Sequence, residues 1–263
     1  MAVIVFDDDE IQVIFHPGAS EMLLVTFGPL NSLADGADFF GRPLAQRMKL
    51  SALGFMAKRP NWYPEASMQK ALAATQELRA RFSEVATYGS SMGGYAAAKY
   101  SRPMAATTTL SLCPQWSIDP QHVADYDRRY EHYFREGRTG GPIRGDDVSG
   151  NIYVFVDPAY GPDLDHARRI PTAELVPVHS ASHHVAGMLA GTVAFQSLLA
   201  ATRRRERREL AATVARLRRP SPRRLVEVIK KAKRRHPEWA GALTRARANV
   251  LQGNPALLAE ISA

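Results

Sequence analysis

Short apolar, β-branched runs alternate with segments of helical length from residue 2 to about residue 200. Strands that are apolar throughout are buried on both faces, which is typical of a mostly parallel sheet with helices on both sides. The alternation therefore predicts an α/β fold. We expect strands at residues 3–6 and 11–15 (a hairpin), 22–27, 50–56, 85–88, 107–112, 152–156 and 175–178, and helices at residues 66–82, 94–100, 163–169 and 185–201.

The net charge of +8 is unevenly distributed along the chain. Residues 203–263 hold 17 Lys and Arg against 5 Asp and Glu, a net charge of +12, which leaves −4 on residues 1–202. Proline and glycine divide this last part into two or three helices. We predict a main domain over residues 1–202 and a basic helical extension over residues 203–263.

The basic extension could contact an anionic membrane surface, nucleic acid or an acidic protein, or could be a solvated face. Its single aromatic residue, Trp239, does not favour specific nucleic-acid binding, which commonly uses aromatic side chains among the cations. We expect a protein partner or a sister subunit.

The composition also bears on compartment and cofactors. Cys113 is the single cysteine, so an internal disulfide is excluded, and the N-terminal residues turn acidic early, unlike a signal peptide. No uncharged apolar run is long enough to span a membrane. We expect a cytoplasmic protein. Because neither a dinucleotide fingerprint nor a P-loop is present, we expect no cofactor.

Residues 118–150 interrupt the alternation with several tyrosines, many charges and a glycine-rich stretch. An insertion after a central strand often covers the site at the carboxyl ends of the strands. We predict a small cap here; a surface excursion without a role is the alternative.

One motif carries most of the chemistry: Gly89-Ser90-Ser91-Met92-Gly93, with a strand before it and a helix rich in small residues after it. A sharp strand-to-helix turn holds a serine hydroxyl where a base can take its proton, and glycine allows the close backbone approach. Ser90 competes, but only Ser91 has glycine at both −2 and +2. A plain glycine-serine turn is the alternative interpretation.

With this motif, residues 3–202 resemble the α/β-hydrolase superfamily. Residues 88–95, followed by Cys113-Pro114-Gln115, look like an uncharacterised bacterial group within it. The resemblance implies a triad in the order serine, acid, histidine, with the acid after a late strand and the histidine after the last one.

Several residues could complete that triad. Asp157 stands directly after strand 152–156 and is preferred as the acid; Asp163, which could instead be a helix N-cap, is the rival, and Asp165 is weaker. For the base, His183 is preferred over His184, and His179 falls too early. Paired histidines could also bind a metal, but no Cys, Asp or Glu lies at ligand spacing nearby, so we expect none.

The oxyanion hole needs two backbone N–H groups. Met92, directly after the nucleophile, should supply one. The loop after strand 22–27 should supply the other, from Gly28 or Leu30, since Pro29 has no N–H. We prefer Gly28, although the loop departs from the His-Gly pattern common in the superfamily.

The sequence thus predicts a serine hydrolase that acts on an ester, thioester or amide as a small-molecule or acylated substrate. An acyltransferase would use the same residues with another acceptor. The alternative from a different class is a catalytically silent hydrolase fold that binds partners through its basic extension.

Overall fold

A single sheet in the order β1-β2-β4-β3-β5-β6-β7-β8 organises the computed structural model, which describes residues 2–262. Met1 and Ala263, the outer ends of the two predicted domains, lie outside the described residues. The strands are β1 (Val3–Asp7), β2 (Ile11–His16), β3 (Met22–Phe27), β4 (Ser51–Ala57), β5 (Glu84–Ser90), β6 (Thr108–Leu112), β7 (Asn151–Val156) and β8 (Glu174–Pro177).

Strands β4, β3, β5, β6 and β7 run parallel, while β2 runs antiparallel to both β1 and β4. The predicted strands are all present, within a residue or two of their expected ends. This sheet with its helices confirms the expected α/β-hydrolase fold class.

The helices are α1 (Arg42–Met48), α2 (Glu65–Ala74), α3 (Gln76–Arg79), α4 (Met92–Lys99), α5 (Pro120–Val123), α6 (Gly161–Arg169), α7 (Val185–Leu189), α8 (Thr192–Arg204), α9 (Arg207–Arg218), α10 (Pro222–Arg235), α11 (Pro237–Ala246), α12 (Ala248–Gln252) and α13 (Pro255–Ser262). Two predicted helices are divided. The first breaks at Thr75, whose hydroxyl donates to the carbonyl of Ala71. The second breaks at Gly191, whose φ of 97° is one that glycine adopts readily.

The chain divides into two units by its internal contacts: Met1–Phe155 with Gly161–Val176, and Val156–Tyr160 with Pro177–Ala263. The predicted boundary at residue 202 falls inside helix α8 (Thr192–Arg204). The second unit therefore includes the last two helices of the predicted main domain as well as the basic extension. Among the described helices, none is both long and apolar enough to cross a membrane.

The core of the first unit lies on the central strands. Every residue of β3 and β4 is buried, on both faces of the sheet, and Leu23, Leu24 and Val25 have no exposed surface. Burial of each such side chain contributes roughly 1.5–3 kcal/mol. This core fixes the strand ends from which the site is built.

The basic extension has an apolar core of its own within the second unit. Val226 and Ile229 of α10 pack with Ala240 of α11 and Ile261 of α13, and leucines of the same helices surround them. The lysines and arginines of the extension are exposed or partly exposed, as an amphipathic pattern requires, whereas Glu227 of α10 is buried. The extension is thus a packed helical element rather than a loose charged tail.

A close crossing of backbones occurs where β5 turns into α4. A Cβ added at Gly93 would lie 2.2 Å from the carbonyl oxygen of Phe27, and one added at Gly89 would lie 2.1 Å from the carbonyl oxygen of Gly93. Neither oxygen is on a flexible side chain, so main chain would have to move. The two motif glycines are therefore required sterically.

We expect Gly93→Ala to lower the free energy of unfolding by about 3 kcal/mol, the upper part of the usual cost of overpacking. Thermal denaturation of purified protein measures this. Gly161→Ala at the start of α6 is the control, because no atom lies within 4 Å of an added Cβ there. Equal melting temperatures for the two variants would contradict the proposed crossing.

Candidate functional site

Ser91 lies in the turn between β5 and α4 with φ 53° and ψ −119°. Its N–H donates to the carbonyl of Leu112 at 2.8 Å, which ties the turn to the end of the neighbouring strand β6. Such a backbone conformation costs a non-glycine residue about 1–3 kcal/mol and persists where the surroundings enforce it. The strained turn predicted from the motif is present, and Ser91, not Ser90, stands at its tip.

Other residues at the same edge of the sheet also have positive φ. Trp62 and Tyr63 (49° and 51°) follow β4, and Cys113 (39°) follows β6. The carboxyl ends of parallel strands meet at one edge, so this strain lies in the region that surrounds Ser91. Strain of this kind clusters at active sites.

Gln115 reaches Ser91 directly: its Nε2 donates to Ser91 Oγ at 3.3 Å. Its Oε1 accepts the indole N–H of the buried Trp62 at 3.2 Å. Because the indole can only donate, it fixes the amide with the donor end toward the serine. No role was predicted for Gln115, although its place just after β6 is a signal that the sequence contains.

The insertion also contacts Ser91, through Tyr130. Burial raises the pKa of Tyr130 to about 12, against the opposing influence of Arg129 and of a hydrogen bond with Ser91. The phenol therefore stays protonated at neutral pH and can donate a hydrogen bond. Its ring packs on Trp62 with 5.3 Å between centroids. One tyrosine of the insertion thus lies beside Ser91, and the cap at residues 118–150 stays a prediction.

The two predicted oxyanion donors differ. Met92 is the first residue of α4, where a backbone N–H has no acceptor within the helix. The N–H of Gly28, however, donates to the carbonyl of Phe55 at 3.0 Å as part of the sheet. The preference for Gly28 is therefore corrected. Leu30, the alternative in that loop, follows Pro29 in a turn closed by a hydrogen bond from Ser32 to Pro29.

Asp163 is fully buried in the first turn of α6 and belongs to the first unit. Its Oδ1 accepts Nη2 of Arg129 at 2.7 Å. The same guanidinium binds Asp127, at 2.8 Å and 2.7 Å. Burial alone would raise the pKa of Asp127, but bonds from His166 and Arg129 hold that pKa well below its usual range. Asp163 thus sits in a charged, hydrogen-bonded network that the insertion supplies.

Asp157 belongs to the second unit and has a different environment. Its Oδ2 accepts the N–H groups of Ala181 and Ser182, both at 2.9 Å, and its Oδ1 accepts that of Ala159 at 3.1 Å. Lys231 Nζ lies 3.3 Å from Oδ2. Burial raises the pKa of Asp157, but these donors outweigh burial and keep the pKa below its ordinary value. Both oxygens are thus engaged in holding backbone.

The histidine loop, residues 178–184, lies in the second unit between β8 and α7. His183 is half-buried, whereas His184 is exposed and occupies the N-cap position of α7 without a capping hydrogen bond from its side chain. His184 Nε2 lies 3.7 Å from the buried carboxylate of Glu227 on α10. His184 thus contacts the basic extension. His183 therefore stays the preferred base.

Ser91, Met92, Gly28 and Asp163 belong to the first unit, and Asp157, His183 and His184 belong to the second. In the first unit, a Cβ on Gly93 would lie 3.0 Å from the Gly28 carbonyl oxygen, so Gly28 lies against the start of α4. In the second unit, Asp157 binds the backbone of the histidine loop.

No protein-family model matches the chain, and no curated protein matches it significantly. Among solved structures, it is similar to a capsule O-acetyltransferase of Neisseria meningitidis serogroup A (11% identity, 68% of this chain and 86% of that chain, TM-score 0.48). An esterase of Pyrococcus furiosus gives 11% identity, 82% and 91% coverage and a TM-score of 0.47.

A thermophilic esterase from Thermogutta terrifontis gives 15% identity, with 80% of this chain and 99% of that chain covered and a TM-score of 0.45. Sequence identities and TM-scores as low as these assign no reaction to the chain. Only its own residues bear on what it does.

Proposed function

We propose that this protein is a serine-dependent acyl-transfer enzyme that cleaves an ester, thioester or amide through an acyl-enzyme at Ser91. The observation that carries the proposal is the conformation of Ser91, held at φ 53° on a strand-to-helix turn with an oriented amide at its hydroxyl. A turn that only reverses the chain has no need of a strained serine, for which glycine would serve at lower cost.

In this mechanism, Ser91 Oγ attacks the acyl carbon while His183 takes its proton, and His183 then protonates the leaving group. The acid must accept a hydrogen bond from the imidazole and stabilise its cationic form. Asp163 fits that role better than Asp157, because both oxygens of Asp157 already accept N–H groups of the backbone. We therefore propose Asp163 as the acid.

Negative charge on the tetrahedral intermediate would be stabilised by backbone N–H groups of Met92 and Leu30. Gln115 Nε2 and the Tyr130 hydroxyl are further donors beside the serine. Such donors stabilise charge effectively because they are fixed before the reaction begins. Water is the proposed acyl acceptor, and an alcohol or amine would need no other catalytic residues.

The test is covalent labelling of the folded protein with a fluorophosphonate probe, followed by mass spectrometry of the modified peptide. We expect stoichiometric modification of Ser91, with Ser90 unmodified in the same peptide, and none in protein unfolded before labelling. Labelling requires an activated serine, which an unfolded chain lacks. Folded protein that does not react would favour the silent scaffold, and reaction at Ser90 or at another residue would refute Ser91 as the nucleophile.

A further inference from the structure

The histidine loop is held in an unusual backbone conformation. Ser180 and Ser182 both have positive φ, 62° and 48°. Non-glycine residues keep such angles only where surrounding contacts enforce them. The loop has few apolar anchors of its own, apart from Val178 and Ala181, which are fully buried. The contacts that hold the loop from outside therefore show which part of the chain fixes its conformation.

One set of contacts comes from Glu227 of helix α10, in the basic extension. Glu227 is 5% exposed, and its Oε2 accepts the hydroxyl of Ser182 at 2.8 Å. Its Oε1 lies 3.7 Å from Nε2 of His184. A buried carboxylate thus contacts the residues on both sides of His183.

Lys231 adds a second contact from the same face of α10, one turn after Glu227. Its ammonium lies 3.3 Å from Asp157 Oδ2, the oxygen that accepts the N–H groups of Ala181 and Ser182. The side chain of Asp157 is fully buried, and burial disfavours its negative charge. The ammonium of Lys231 compensates that charge. Lys231 therefore stabilises the backbone of the loop through Asp157.

Glu227 is in turn connected to the end of the extension. Arg223 lies 4.0 Å from Glu227 and binds Glu260 of α13 at 2.6 and 2.8 Å, and Lys230 binds Glu260 as well. Arg218 of α9 donates to the carbonyl of His179 at 3.3 Å. Helices α9 and α10 of the extension therefore both contact the loop. Helix α13 in turn binds α10 through Glu260.

We propose that the basic extension is a positioning element of the proposed active site, in which Glu227 and Lys231 hold the histidine loop so that His183 keeps its orientation as the base. Both are positioning residues, since they act through Ser182 and Asp157. This inference rests on the proposed function for its catalytic consequence. Its structural part, that α10 holds the loop, stands on the contacts themselves.

Removal of the Glu227 carboxylate should let Ser180 and Ser182 relax from their positive φ and displace the imidazole. A displacement of about 1 Å can cost about 10²-fold in rate. For Glu227→Ala we therefore expect kcat for p-nitrophenyl acetate to fall by up to about 10²-fold with little change in KM, because substrate contacts remain. Glu227→Gln should restore most of kcat, since its Oε1 can still accept the Ser182 hydroxyl.

Glu238→Ala is the matched control, an acidic residue of the same extension that is exposed on α11. It should leave kcat unchanged. A purely structural role of Glu227 would lower the melting temperature without a selective loss of kcat and without rescue by glutamine. A kcat for Glu227→Ala equal to that of Glu238→Ala would overturn the proposal.

Hydrogen–deuterium exchange separates this inference from the proposed function. In full-length protein, Glu227→Ala should speed exchange in peptides that contain Ala181 and Ser182, while Glu238→Ala should not. Wild-type protein without turnover or labelling would refute the proposed function, and faster loop exchange in Glu227→Ala would still confirm the contact. Unchanged loop exchange would refute the positioning role whatever the activity.

Discussion

Replacing Ser91 with alanine is expected to lower kcat for an activated ester by about 10⁶-fold, the loss found when the nucleophile of a serine protease is removed. The hydroxyl is the only group of Ser91 that the substitution deletes, so the strained turn and the hydrogen bond from its N–H to Leu112 remain. The melting temperature should therefore change little. Steady-state kinetics and thermal denaturation measure the two quantities.

Ser90→Ala is the matched control for that prediction. Ser90 is 6% exposed, and its hydroxyl lies 3.8 Å from Cys113 Sγ. It should keep full activity, since its side chain faces a buried thiol rather than the amide of Gln115. Loss of activity in Ser90→Ala with retention in Ser91→Ala would assign the nucleophile to the other serine.

Replacing Asp163 with asparagine should lower kcat by about 10⁴-fold, as expected when the acid of a triad loses its charge and presents an amide to the imidazole. The fold should persist, because Arg129 keeps its two hydrogen bonds with Asp127. The measurement is kcat against an activated ester, with circular dichroism to confirm folding.

Asp157→Asn is the comparison that decides between the two acids. It removes the charge that accepts three backbone N–H groups and faces Lys231, so we expect a lower melting temperature and a smaller loss of kcat, about 10-fold to 10²-fold. A larger loss of kcat in Asp157→Asn than in Asp163→Asn would return the catalytic role to Asp157.

The strands and the turn at Ser91 could be predicted because their signals are local. An apolar run such as residues 22–27 must be buried wherever it lies, and glycines at 89 and 93 are needed wherever a strand crosses a helix so closely. The division of residues 185–201 at Gly191 was missed, since a single glycine within an apolar helix pattern does not by itself end a helix.

The remaining features depend on partners distant in sequence. The Gly28 N–H pairs with Phe55, 27 residues later, and no pattern around Gly28 shows that its donor is used. Gln115 acquires its orientation from Trp62, and Glu227 meets Ser182 across 45 residues. Such pairings arise from the packing of the chain, so a single sequence indicates which residues are polar but not which of them meet.

The insertion supplies both Tyr130, beside Ser91, and Arg129, the partner of Asp163. A segment that lines a substrate entrance is usually regarded as exchangeable, so that evolution or an engineer can graft another in its place and alter selectivity alone. Here a graft would also leave the Asp163 carboxylate buried without the cation that Arg129 supplies. We therefore expect that exchanging the insertion would change both selectivity and turnover in this protein. A new insertion would have to supply an arginine in the place of Arg129.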